Sequence, residues 1–274
     1  MVDPSGRITQ SEDLTAQVIA ADLRIRFNVD IVKDWGYGYT SPPQTIINDI
    51  LDGKNPIVDT DCGWRLGNWR SLSELELVRD GVELLATKMG GPEKFKSAMK
   101  HQKVEIARVR NLLNPFKEEG NTGLTLPYIF GYYMVHGIML PDLAFNFGSE
   151  FAVYTTIHEL GHLWDVRSNL ALSIGMAKFL GNAKNGNVNS LSLCMDYSII
   201  SQRYRCATSN WQYIETNEIA PGQPGGQYAR HNFTEDWAEA VAYTVYPQYG
   251  RTRNYLPLLD KRKTYVTVWM SLIR

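Results

Sequence analysis

The stretch TTIHELGH, residues 155–162, places His158 and His162 four positions apart with Glu159 next to the first. On an α-helix, positions i and i+4 project from one face, so both imidazoles can aim a nitrogen at a common point about 2 Å from each. Glu159 sits to the side, outside such a coordination sphere, where a carboxylate can take a proton from water. An HExxH match by chance in a chain of this composition has a frequency of roughly half a percent, which favours a zinc site over two histidines satisfied in polar pockets. Zinc held this way needs one more protein ligand, and these eight residues do not supply it.

Outward from the motif, Ser149 after Gly148 is expected to cap a helix over EFAVYTTIHELGHLWDV. Before it, HGIMLPDLAFNF is expected to be a strand broken by Pro141, which suits a sheet edge. Leu143, Ala144, Phe145 and Asn146 then form the extended segment nearest the motif. After it come a helix around LALSIGMAKFL, the loop-rich GNAKNGNVN and EIAPGQPGGQ, and a second strong helix, TEDWAEAVAYTV, ending before Pro247. A short last helix is expected from Tyr265.

Three places can supply the third ligand. The metzincin pattern HExxHxxGxxH fails twice, since Asp165 replaces its glycine and Ser168 its last ligand. Asp165 lies one turn beyond His162 and is a candidate ligand, though a carboxylate there more often supports a ligand from outside. In NFTEDWAEAVAYTVY, Glu235 and Glu239 share a face while Trp237, Ala238, Val241 and Ala242 can pack that helix on its neighbour. One carboxylate can then reach the metal and the other the second ring nitrogen of a ligand histidine.

Together, HELGH and the Glu235/Glu239 pair resemble the gluzincin group of zinc metallopeptidases, whose third ligand is a glutamate on a later helix. The resemblance is narrower to anthrax lethal factor and the Pro-Pro endopeptidases, where a tyrosine seven residues before the ligand glutamate points into the site, as Tyr228 would here. It implies an α+β zincin-like fold: an N-terminal lobe with a mixed sheet and backing helix, the HExxH helix, and a more helical C-terminal lobe. It implies one zinc per chain on His158, His162 and Glu235, with Glu159 as base and Tyr228 on the oxyanion. Glu239 and Asp165 support the ligands from outside, and residues 143–146 pair with an extended peptide substrate. His231 rivals Tyr228 as the oxyanion donor. The resemblance covers about residues 103–246 in element order, and its specific residues are confined to the two helices and Tyr228. The connection over 168–230 is longer than in those relatives.

The remaining chain is less specific. Val29 and Ile31 continue an alternation begun by Ile25 and Phe27, as in a half-buried strand after a helix near SEDLTAQVIAADL. Trp35, Tyr37, Tyr39, Trp64 and Trp69 mark an aromatic, loop-rich stretch. SLSELELVRDGVELLATKMGG is expected to be a helix capped by Ser71 or Ser73 and ended by Gly90. VEIARV and LPYIFGYYMV are expected strands, and His101 and His136 are expected to be structural. Residues 1–70 can form an N-terminal region and 71–274 the peptidase domain, or 1–274 one continuous domain.

With 28 basic and 29 acidic residues among 274, and a formal net charge of −1, nothing suggests a nucleic-acid partner. No stretch is apolar enough to span a membrane. Three cysteines, Cys62, Cys194 and Cys206, are too few for a disulfide framework, and a Cys194–Cys206 bridge stays open beside free thiols. The opening MVDPSGRITQSEDL lacks a signal-peptide core, which leaves a cytosolic protein or an exported one read without its leader, export being favoured. A peptide or protein substrate is the expected partner. The competing functions are a non-catalytic binding or adhesion protein on the same scaffold, with the aromatic loops gripping a ligand, and a toxin or effector with one narrow target. An intact Glu159 favours catalysis.

Overall fold

Helix α1 (Gln10–Phe27) and strand β1 (Val29–Val32) open the described chain. The computed structural model describes residues 10–32, 69–108, 137–140, 142–180, 229, 233–252 and 260–274. The alternation from Ile25 to Ile31 is strand only in its second half. Ile19, Leu23 and Phe27 recur every fourth residue and are buried, while Ile25 is 76% exposed, so helical spacing wins up to Phe27. Asn28 then takes a left-handed conformation (φ 58°), which asparagine tolerates, and turns the chain into β1.

Helix α2 (Leu72–Met89) buries Leu75, Val78, Val82 and Leu85 along one stripe. Ser71 Oγ accepts from the Glu74 amide at 3.4 Å, and Gly90 closes the helix at φ 101°. Short helix α3 (Pro92–Ala98) leads to β2 (Val104–Arg108), and β3 is Gly137–Leu140. The order is β1-β2-β3, and both pairings are parallel, with Ile31 opposite Ile106 and Ile106 opposite Ile138. Helices α2 and α3 lie in the β1–β2 connection, and such a crossover returns the chain in parallel. The described residues are therefore mostly helical with one small parallel sheet, an α+β arrangement in which no antiparallel pair is seen. β1 belongs to the same sheet as β2, and α1 packs on α2, so residues 10–32 and 72–108 share one core.

Beyond β3 the structure departs from the expected strand. Residues Asp142–Asn146 form a short helix, α4, rather than an extended segment. Pro141 lacks the amide hydrogen that would extend the β3 ladder. Ala144 is buried, and Phe145 packs edge-on to Trp69 with the Arg108 guanidinium 4.6 Å from its ring centre. Arg108 is itself held by Glu74 through a buried two-point ion pair (3.2 and 3.0 Å). Phe145 thus braces the Arg108 end of β2, and residues 143–146 present no strand to a substrate.

Helix α5 (Ser149–Arg167) carries HELGH and is flanked by α2 and by helix α7 (Phe233–Val245). Its N-cap is Gly148, not Ser149, and no side chain caps it. Helix α6 (Ala171–Leu180) follows, then α7, α8 (Pro247–Thr252) and α9 (Asp260–Leu272), the last starting five residues before Tyr265. Arg262 of α9 grips Asp236 of α7 through two contacts, Nε–Oδ1 at 2.7 Å and Nη2–Oδ2 at 3.0 Å, both residues being buried. No described helix is long and apolar enough to cross a membrane.

Candidate metal centre

Helices α5 and α7 meet where α5 has no side chain. A Cβ placed on Gly161 would lie 3.4 Å from the Ala238 Cα and 3.3 Å from the Val241 Cβ, so glycine permits this close approach. The Trp237 indole donates to the Gly161 carbonyl at 3.0 Å and its ring meets Trp164 edge-on. His158, Gly161 and His162 share one face of α5, as Glu235, Ala238 and Glu239 share one face of α7. The small residues set the gap, and the polar ones fill its rim.

Across that gap His158 Nε2 lies 3.2 Å from Glu235 Oε2, His162 Nε2 lies 3.1 Å from the same oxygen, and the two Nε2 atoms are 3.1 Å apart. All three residues are buried, and together they could hold a metal ion. The spacing is chemically telling: neighbouring ligands of a tetrahedral ion with bonds of about 2.0–2.1 Å are about 3.3 Å apart. Three atoms with lone pairs at that separation fit a shared cation better than one another.

Glu239 approaches His158 from the far side, Oε1 to Nδ1 at 3.0 Å, off the line of an ideal N–H bond. Its other oxygen accepts from the Tyr154 hydroxyl at 2.7 Å. The two α7 carboxylates are thus divided, Glu235 toward the cluster and Glu239 behind a histidine. Asp165 does something else. Its Oδ1 accepts from the amides of Leu172 (3.1 Å) and Ser173 (3.0 Å), capping α6 from six residues upstream of that helix. It is no part of the three-ligand group. Tyr228 and His231 lie outside the described residues, as do His136 and all three cysteines, and His101 is exposed in the turn before β2.

Charge in this pocket is strongly conditioned. Burial pushes Glu159 up to about 7 against the opposing pull of His158 and His162, and pushes Asp165 up to about 6 despite its bonds to Ser173. At His158 burial favours the neutral ring, but hydrogen bonding to Glu235 and Glu239 outweighs it and raises the pKa well above the usual value. Glu235 is held well below the usual carboxylate range, because the two histidines overcome its burial.

These shifts fix a pH dependence for protein stripped of metal by a chelator. Glu159, Asp165 and His158 all have raised folded-state values, so each contributes stability that is complete below its unfolded pKa and lost as pH rises through the folded one. The stripped protein is expected to melt higher at pH 5 than at pH 8, the loss running from the unfolded values of 3.8 for Asp165 and 4.5 for Glu159 up to about 6 and about 7 respectively. Asp165→Asn keeps the acceptor for Leu172 and Ser173 and should flatten part of that decline. The gain in melting temperature on adding zinc should grow over the same interval, since ligands bind metal deprotonated. A series of melts with and without zinc checks both slopes.

No protein-family model matches the chain, and neither a curated protein nor a solved structure matches it. Tyr154, Gly161 and Arg262 gave no functional signal in the sequence, although Tyr154 stands four residues before His158 and so on the same face of one helix.

Proposed function

We propose that this chain is a zinc-dependent metalloendopeptidase of the zincin type, with a glutamate as third ligand. The observation that carries the proposal is the convergence of His158 Nε2, His162 Nε2 and Glu235 Oε2 at 3.1–3.2 Å in a buried site. Two imidazoles and one carboxylate are the donor set of catalytic rather than structural zinc, because three protein ligands leave a position for water or substrate. Zinc at such a centre supplies Lewis acidity, polarising a carbonyl and making water nucleophilic near neutral pH.

The chain's own groups account for the proton traffic. Glu159 follows His158 directly on α5 and stands outside the three-ligand group, where a carboxylate can accept and return a proton. It takes the proton of the attacking water at its carboxylate and delivers it to the amine nitrogen that leaves. Glu239 keeps the His158 ring oriented from behind. An oxyanion donor is expected from Tyr228 or His231.

A peptide library or an unstructured protein, incubated with the chain with and without chelator, tests the reading. Cleavage should occur, stop on chelation, and return with one equivalent of zinc per chain. An intact library in the presence of one bound zinc per chain would overturn it in favour of a binding role.

A further inference from the structure

Tyr154 is the residue around the centre that the proposed chemistry leaves without a task, and its surroundings are unusually specific. Its ring is stacked on Tyr249 of α8 at 4.3 Å and 28°, and meets Tyr243 of α7 edge-on at 5.4 Å and 86°. With the ring clamped on two sides, the hydroxyl has one direction. It donates to Glu239 Oε2 at 2.7 Å, inside the buried core. Burial, and then the charge of Glu239, keep the phenol protonated far into the alkaline range, so it remains a donor. Glu239 Oε1 is the atom 3.0 Å from His158 Nδ1.

We propose that Tyr154 is a positioning residue for the metal centre, acting through Glu239: the tyrosine fixes one carboxylate oxygen so that the other holds His158 with Nε2 turned toward Glu235 and His162. The inference rests on the metal-centre reading above and adds a third tier behind the ligands. Two rotatable bonds separate the Glu239 carboxylate from its Cβ, and among the described residues only the histidine would anchor it without the phenol. A ligand ring steered by a loose carboxylate loses part of its preorganisation, and outer partners of ligand histidines commonly contribute about 10- to 100-fold in metal affinity.

Zinc dissociation constants for the full chain, measured by competition with a chromogenic chelator, test this in four forms: wild type, Tyr154→Phe, Glu239→Gln and the double variant. Tyr154→Phe keeps the clamped ring and removes only the hydroxyl. It should weaken zinc binding about tenfold, and the same change in the Glu239→Gln background should add less than about twofold, because the route is already cut. Cobalt substitution gives a second readout: the visible absorption of the Co(II) protein should shift in Tyr154→Phe and not shift further in the double variant. Wild-type affinity and spectrum in Tyr154→Phe, or equal losses in both backgrounds, would overturn the proposal and leave Tyr154 a packing residue. If Tyr154→Phe does not fold, 3-fluorotyrosine at 154 retains the shape and alters the donor, and an unchanged cobalt spectrum there overturns it equally. Wild-type protein that binds no zinc would instead remove the metal centre itself, and this inference with it.

Discussion

Glu159→Gln is expected to bind one zinc per chain with near wild-type affinity while peptide hydrolysis falls by roughly two to four orders of magnitude. The amide matches the carboxyl in size but cannot take a proton from water, and Glu159 is outside the three-atom group that could hold the ion. Chemistry is removed and binding is kept. A further sign separates this from unfolding. Because burial holds the native carboxyl up at about 7, ionising it costs the fold stability above that pH. Glu159→Gln stripped of metal should therefore melt no lower than wild type at pH 8. Zinc content, turnover on a cleavable peptide and melting temperature, taken on one preparation, check the prediction. Unchanged turnover would sink the assigned role of Glu159.

The second large effect discriminates between the two carboxylates that the sequence leaves in competition. Glu235→Ala should weaken zinc binding by at least about a hundredfold, more than loss of an outer partner does. It deletes an oxygen that lies within 3.2 Å of both Nε2 atoms. Asp165→Ala should leave zinc affinity within a few-fold of wild type and cost about 1–2 kcal/mol of stability, as expected when the acceptor of two helix-start amides is removed. Chelator competition separates the variants, and urea melts give the stability difference. The reverse order of zinc affinities would move the third ligand to Asp165.

How much of this was legible in the residues depends on whether the deciding contact was local. HELGH, Ser71, Gly90 and the stripe Leu75, Val78, Val82, Leu85 are read within one helix, where spacing alone fixes the face. Glu235 and Glu239 were legible as a pair because they too are four apart, and the structure divides them between the cluster and His158. The failures are tertiary. LAFN has no helical or strand signature of its own over four residues, and packing of Phe145 on Trp69 and Arg108 decided its form. Asp165 stands one turn beyond His162 and feels its charge, but that its Oδ1 also holds the start of α6 could not be read from its offset. Ile25 fits both a period of two and an exposed helical position, and only its exposure separates them. Gly161 sits in the motif as if a spacer, and its use appears only with Ala238 and Val241 across the gap.

The buried grip of Arg262 on Asp236 has a consequence for aim. Adjacent residues on a helix point about 100° apart, so Glu235 looks toward α5 while Asp236 looks toward α9. With both neighbours tied down on different partners, α7 cannot roll about its long axis without tearing one of them loose. Residue 262 therefore works as a rotation stop: helix α9 sets the heading at which a carboxylate on another helix meets two histidines on a third.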